Sequence, residues 1–421
     1  MVEVRGFQAL RFDASKTGAL DIVLTPPYDV IDEKERHRLA ALNPYNMTHL
    51  ILPESRGAET PYENAARLFR QWIAEGVLRP DPEPSLYLLK QRFTDSCGDA
   101  FERKAFFALL KLPDQGEQFI LGHEHTFDKP VEDRIALMRA VRADLEPIFV
   151  MYTDSDNNLA NQLFQPMGEQ PPLFSASTSD NVTQELWRTP CPDYLGGHFE
   201  NQTLYIADGH HRFKTASMYR DECRKQQGGT RAPARHDYIM AGFIAFEEPG
   251  LKIYAAHRAV SEPFPFNFEE CMGRLTKYFD CRELPPDASD KDLDGVEAVC
   301  AFIMRTRGRG TWLLCLKEEK RLELLGDDRG EAWRALDVAV LHRGVLSRLL
   351  GVGDDVYLIY EKDAGVAATL VDSGRAALAF LLRPTRPEQV RACAEAFEPM
   401  PQKSTYFFPK LPSGAVMYSL E

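Results

Sequence analysis

Near the middle of the chain an apolar stretch, Thr203-Leu204-Tyr205-Ile206-Ala207, runs into Asp208-Gly209 and straight on into a helical pattern that opens with His210-His211-Arg212. A buried strand that passes into a helix through one Asp-Gly step restricts the fold. The strand must sit inside a sheet, and the helix must pack back against it. The start of such a helix is also a natural seat for an anion, because its first N–H groups have no intrahelical partner and the helix dipole is positive there. Gly209 lets the backbone approach a ligand closely, Arg212 is of the type that forks onto phosphate oxygens, and Asp208 is suited to a magnesium ion that accompanies a phosphate. The same residues also allow a plainer reading, in which Asp208 caps the helix and His210, His211 and Arg212 make surface hydrogen bonds.

Composition narrows the partners. The chain has 421 residues, 44% hydrophobic and 27% charged, with a formal net charge of −13. An acidic chain of this kind is not expected to lie along a nucleic-acid backbone. No apolar run reaches the ~18 residues of a membrane span, and Met1-Val2-Glu3-Val4-Arg5 lacks the pattern of a signal peptide. The expected location is cytoplasmic, with no membrane partner. The eight cysteines include no Cys-x-x-Cys pair, and Cys300 and Cys315 sit among apolar neighbours, as buried reduced thiols do. The P-loop, dinucleotide and hydrolase-elbow fingerprints are all missing.

The pattern of elements is mixed α and β, without a regular βα alternation, and predicts an α+β fold in three stretches. The first, residues 1–115, holds the diproline turn Thr25-Pro26-Pro27-Tyr28-Asp29-Val30, helices over 33–42 and 62–75, and strands over 86–91 and 104–110. The second, 116–247, holds strands at 119–121, 147–152, 203–206 and 238–246 and helices from about Asp133 and His211. Within it lies a polar, helix-bearing insertion over 155–200. The third, 248–421, is expected to carry a meander of strands at 298–304, 311–317 and 321–325, helices over 334–350 and 387–396, and a proline-punctuated tail. Its Arg305-Thr306-Arg307-Gly308-Arg309 cluster reads as a solvated hairpin turn.

Further polar residues stand beside rigid turns. Tyr28 and Asp29 follow the diproline, and Lys403, Ser404 and Thr405 follow Pro401, which suits either presentation of binding groups or simple turn chemistry. In Gly122-His123-Glu124-His125-Thr126, Glu124 is either a charged strand end paired with Arg134 or Lys129, or a functional carboxylate. His123 and His125 would share a face if extended, but no third metal ligand is apparent and the spacing is not that of a metalloprotease.

The Asp208–Arg212 string resembles the signature of the ParB/sulfiredoxin-like superfamily, and its Asp-Gly-His-His-Arg form resembles the branch that includes free serine kinases. The order upstream agrees: His123-Glu124-His125-Thr126, a helix, Pro147-Ile148-Phe149-Val150, then Asp208 to Arg212. Over nearly its whole length the chain also resembles the domain of unknown function 1015 family. The resemblance is carried by Pro26 to Val30, Asp133-Arg134, Ala207 to Arg212, Ala256-His257-Arg258 and Met400 to Lys410.

These resemblances imply a mixed-sheet ParB/sulfiredoxin-like core with N- and C-terminal α+β elaborations. They imply ATP or ADP with Mg2+ at Asp208, Gly209, His210, His211 and Arg212, with Asp208 on the metal. Glu124 would act on the hydroxyl of free L-serine or a similar hydroxy amino acid, reversibly with phosphoserine. Tyr28, Asp29, His123, Thr126, Lys403, Ser404 and Thr405 become candidate substrate contacts. A homodimer stays open. Sulfiredoxin chemistry lacks its cysteine, since His210 occupies that place, and no helix-turn-helix follows the motif as a ParB-type DNA clamp requires. The rival reading is a nucleotide-binding regulatory protein without phosphotransfer.

Overall fold

The computed structural model describes residues 1–95, 98–155, 157–168, 170–228, 233–353 and 356–421. The chain divides into two compact units, one of residues 1–122, 126–251 and 409–421, the other of 123–125 and 252–408.

The first unit is built on a mixed nine-stranded sheet. In chain order its strands are β1 (Val4–Arg5), β2 (Leu86–Thr94), β3 (Ala100–Lys111), β4 (Ile120–Leu121), β5 (Ile148–Tyr152), β6 (Phe174–Ser177), β7 (Thr183–Thr189), β8 (Leu204–Asp208) and β9 (Tyr238–Ala245). The order across the sheet is β4-β8-β5-β9-β3-β2-β7-β6, with β1 beside β3. The pairs β4–β8 and β5–β9 are parallel and the remaining pairs antiparallel. Central strands covered on both faces read as continuous apolar runs. Accordingly β5 and β9 are buried along their whole length.

The helices of the unit include α1 (Pro61–Ala74), α2 (Asp128–Val141), α3 (Asn158–Phe164) and α4 (His210–Gln226). Helix α1 starts at a capping box of Thr60 with Glu63 and has Pro61 at its first position. Its Phe69 and Trp72 share a core with Leu137 and Val141 of α2. Phe213 and Ala216 of α4 pack into the core formed by Ile148, Val150 and Ile206. The sheet takes β2 and β3 from the first expected stretch and β5, β8 and β9 from the second, so both stretches share one unit.

The expected insertion carries the short helix α3 and also contributes the edge strand β6 and its neighbour β7. Strand β7 is masked in sequence because its core residue Gln184 is polar. Gln184 is buried by accepting a hydrogen bond from Gln91 Nε2 (2.8 Å).

The second unit contains a six-stranded, wholly antiparallel sheet. Its strands are β10 (His257–Ser261), β11 (Phe279–Leu284), β12 (Ala301–Thr306), β13 (Gly310–Leu316), β14 (Leu358–Glu361) and β15 (Ala376–Leu382). They are ordered β11-β13-β12-β15-β10-β14. Two expectations are corrected here. Residues Arg321–Leu325 form a helix rather than a third meander strand. The helix expected over 334–350 is broken at the extended Leu336 and continues as a π-helix over Val340–Leu349. The break lies beside Asp337, which Arg383 holds through two hydrogen bonds (2.7 and 2.8 Å).

Among the described residues no helix is long and apolar enough to cross a membrane. Seven described cysteines are free thiols, Cys300 among them buried and Cys315 half-buried, while Cys97 lies outside the described residues.

Candidate functional site

The expected strand–turn–helix is present in the first unit. Strand β8 ends at Asp208, Gly209 adopts a left-handed conformation (φ 90°, ψ 28°), and α4 runs for 17 residues from His210. Only glycine tolerates this step. A Cβ there would stand 3.0 Å from Ile148 Cγ2 and 3.1 Å from the Arg212 guanidinium carbon. No side chain caps the helix, and its first turn holds no acidic residue. Asp208 therefore does not cap α4 from the strand end; its Oδ1 accepts from the N–H of Gly209 (2.8 Å).

Charged side chains back the turn. Lys410, from the C-terminal segment that returns to this unit, donates to Asp208 Oδ2 (3.0 Å), and Arg212 Nη2 lies 3.8 Å from Oδ1. Burial by itself would raise the Asp208 carboxyl, but Lys410 and Arg212 outweigh it and hold the group well below the usual carboxylate range. Arg212 is only 8% exposed, and its Nη1 donates to the carbonyl of Pro147. Its guanidinium is thus a brace beneath the turn rather than a fork presented to solvent. Arg212 Nε and Thr215 Oγ1 are buried without a hydrogen-bond partner among the described residues, and both residues line a small pocket of about 40 Å³.

The diproline turn comes to the same place. Glu146 accepts from the N–H of Tyr28 (3.0 Å) and from Ser413 Oγ (2.9 Å), with Arg134 Nη1 at 3.9 Å. The Arg134 guanidinium lies 4.2 Å from the centre of the Tyr28 ring. Burial raises the Glu146 carboxyl against the pull of Arg212 and Arg134. Burial first, and then the charge of Asp29, raises the Tyr28 hydroxyl. Asp29 itself is exposed on this turn. His211 Nε2 accepts from the N–H of Phe127 (3.1 Å), and His210 packs on Gly122, where a Cβ would come within 2.9 Å of its ring. Thr126 is half-buried just before α2.

The second unit gathers the other expected residues. The carbonyl of His123 accepts from the N–H of Met400 (2.8 Å), and Glu124, half-buried, forms a parallel bridge with Met400. His123 Nε2 is 3.3 Å from Thr405 Oγ1, so the His-Glu segment and the 403–405 loop meet. Lys403 is exposed with a left-handed backbone (φ 54°), while Ser404 is buried and donates to the carbonyl of Pro401. Buried Arg258 holds this loop through the carbonyls of Lys403 (2.8 Å) and Gln402 (3.2 Å). Its Nε donates to His342 (3.0 Å), which burial, then Arg258, pushes down to about 3.

A magnesium ion at Asp208 would have to share the carboxylate with the Lys410 ammonium on one oxygen and the Gly209 N–H on the other. Among the described residues no group of three or more His, Cys, Asp or Glu is arranged to hold a metal ion.

Glu146 and Ser413 were not found by sequence reasoning, and Lys410 stood only at the end of the Met400–Lys410 string, without a role at this site. The available signal was a lone charge inside an apolar run, in Leu145-Glu146-Pro147-Ile148 and Phe407-Phe408-Pro409-Lys410-Leu411.

Together the fold and the turn define an α+β protein with an uncapped helix start, on a mixed sheet, backed by buried cations. The chain belongs to the family described as "Protein of unknown function (DUF1015)", which matches residues 4–339. No curated protein matches it. Among solved structures it is similar to a free serine kinase in complex with AMP, at 16% identity and TM-score 0.36, over 72% of this chain and 86% of that one. It is similar to a mutant free serine kinase in complex with ADP, at 14% identity and TM-score 0.37, over 72% and 87% of the two chains. It is also similar to SbnI with C-terminal truncation from Staphylococcus aureus, at 10% identity and TM-score 0.38, over 74% and 86%. Likenesses this distant fix neither activity nor ligand.

Proposed function

We propose that this chain is a nucleotide-dependent small-molecule kinase, in which the start of α4 seats the phosphates of ATP or ADP and Glu124 receives the proton of the acceptor hydroxyl. The observation that carries the reading is the left-handed Gly209 opening a 17-residue helix that has neither a capping side chain nor an acidic first turn. Such a start presents backbone N–H groups and the positive end of the dipole to an anion. Arg212 and Lys410 lie behind it and keep Asp208 from repelling a phosphate. The order of the His-Glu segment, the Pro-Ile-x-Val strand and the Asp-Gly-His-His-Arg turn supports a kinase over a plain anion site.

In the proposed reaction the acceptor oxygen forms a bond to phosphorus while the bond from phosphorus to the leaving nucleotide oxygen breaks. The hydroxyl proton passes to the Glu124 carboxylate, and charge on the leaving phosphate is met by the first N–H groups of α4. The acceptor is free L-serine or a similar hydroxy amino acid, and the reverse reaction would return phosphate from phosphoserine to the nucleotide. Arg212 acts on the turn from beneath, as a positioning residue. Tyr28, Asp29, His123, Thr126, Lys403, Ser404 and Thr405 are the proposed substrate contacts or their supports.

The test is product analysis after incubation with ATP or ADP and L-serine in magnesium-containing buffer. Glu124→Gln is expected to lower kcat by roughly 10²–10⁴-fold with nucleotide affinity unchanged. Wild-type protein that phosphorylates no hydroxy amino acid removes the kinase reading. A Glu124→Gln variant as fast as wild type removes only the assignment of the base.

A further inference from the structure

The insertion that separates β5 from β8 does more than lengthen the sheet. With the ends of β2 and β3 it walls a cleft of about 380 Å³, a volume typical of small-molecule sites. We propose that this cleft is a second binding site, for a small carboxylate carrying an apolar or aromatic body.

Charge and shape together select that class. Three cations, Lys90, Arg92 and Lys104, line the cleft with two carboxylates, Glu102 and Glu185. Arg92 takes both carboxylates (3.2 and 2.8 Å), and Lys90 shares Glu102 (3.5 Å). Lys104 is the cation left over. Its ammonium donates to the neutral Asn161 Oδ1 (3.0 Å) at the exposed mouth of the cleft, and it has no ion pair within 4.0 Å among the described residues. Glu248 feels the charge of Lys104 without an ion pair to it, and already accepts from the Lys104 backbone N–H (3.1 Å) and from Asn157. An ammonium whose one side-chain acceptor is neutral favours a charge-assisted bond to an anion beside it.

The apolar wall stands next to that ammonium. Phe164, Met167 and Trp187 line the cleft, and Lys104 Nζ lies 5.9 Å from the centre of the Phe164 ring. Trp187 is fixed by donating from Nε1 to the carbonyl of Gln170 (2.8 Å). A ligand with its carboxylate on Lys104 would lay its body across these rings. The cleft is separate from the phosphate turn: Asp208 pairs with Phe149 at the start of β5, whereas Lys104 lies beyond Phe106, where β3 stops pairing with β9.

The test titrates the full chain with benzoate, benzamide and acetate by calorimetry. Benzoate is expected to bind about tenfold or more tightly than benzamide, which lacks the charge, and than acetate, which lacks the body. Lys104→Gln removes the cation. Asn161→Asp sets a carboxylate against Lys104 at an exposed position without changing side-chain size, so it keeps the test decisive if the first variant folds poorly. Each should weaken benzoate by about tenfold and leave ADP binding unchanged. Benzoate that binds no better than benzamide, or that ignores Asn161→Asp, overturns the proposal.

Discussion

Two carboxyls in the first unit, half-buried Asp208 and buried Asp144, are driven in opposite directions by their neighbours. Asp208 is held ionised because Lys410 and Arg212 outweigh its burial. Asp144 feels burial with only the N–H of Met240 (2.9 Å) against it, and its carboxyl is pushed up to about 7. The folded chain then keeps a proton that the unfolded chain loses from about pH 4 upward. The Asp144 contribution is therefore fully present below pH 4 and is lost as pH rises to about 7. Asp144→Asn is expected to match wild type near pH 4 and to be more stable at pH 8 by about 1–4 kcal/mol, less whatever its extra amide leaves unpaired. Urea midpoints at both pH values check this, and equal differences at the two would refute it. The sequence carried Asp208, Gly209 and Arg212 as a motif, because turn and helix chemistry is local. It did not carry Lys410 as the partner of Asp208, since the two are 202 residues apart.

At the scale of elements, a buried polar ladder joins β3, β2 and β7. Arg103 donates from Nε to Gln91 Oε1 (2.9 Å), and Gln91 Nε2 donates to Gln184 Oε1 (2.8 Å) and to the carbonyl of Lys410 (2.9 Å). Arg103 is fully buried, so its acceptor matters more than the hydrogen bond's net worth. Gln91→Leu should cost about 2–4 kcal/mol by stranding that guanidinium, whereas Gln91→Leu with Arg103→Met should cost less than the single change. A double variant that is additive or worse in denaturant titrations would show that the ladder is not coupled. This ladder also explains what was illegible. Central strands such as β5 and β9 announce themselves by apolar runs, but β7 hides its core face behind Gln184. Strand β15, Ala376–Leu382, is buried throughout yet is built of Ala, Leu and Phe, which suit a buried helix equally well.

At the scale of the whole molecule the chain is discontinuous in both units: residues 123–125 belong with 252–408, and the last thirteen, 409–421, belong with the first unit. Lys410, which backs the Asp208-Gly209 turn, and Ser413, which holds Glu146, both come from that returning segment. A chain of two units need not unfold in one step, so ligand binding is best read locally. ADP at about 100 times its Kd should stabilise the fold it binds by about 2.7 kcal/mol, slowing hydrogen exchange of amides 209–213. Gly209→Ala, strained at φ 90°, should abolish the slowing. Exchange there that ignores ADP in the wild type would remove the nucleotide from the turn. Sequence alone determined the α+β class, the main apolar strands, the Asp-Gly helix start and the diproline turn, because periodicity and turn chemistry act over a few residues. Only tertiary structure decided that Arg212 faces inward, that Glu146 and Lys410 flank it, and that Asp208 already holds a cation. Those outcomes depend on strand register and on where a distant segment returns, which no local pattern encodes.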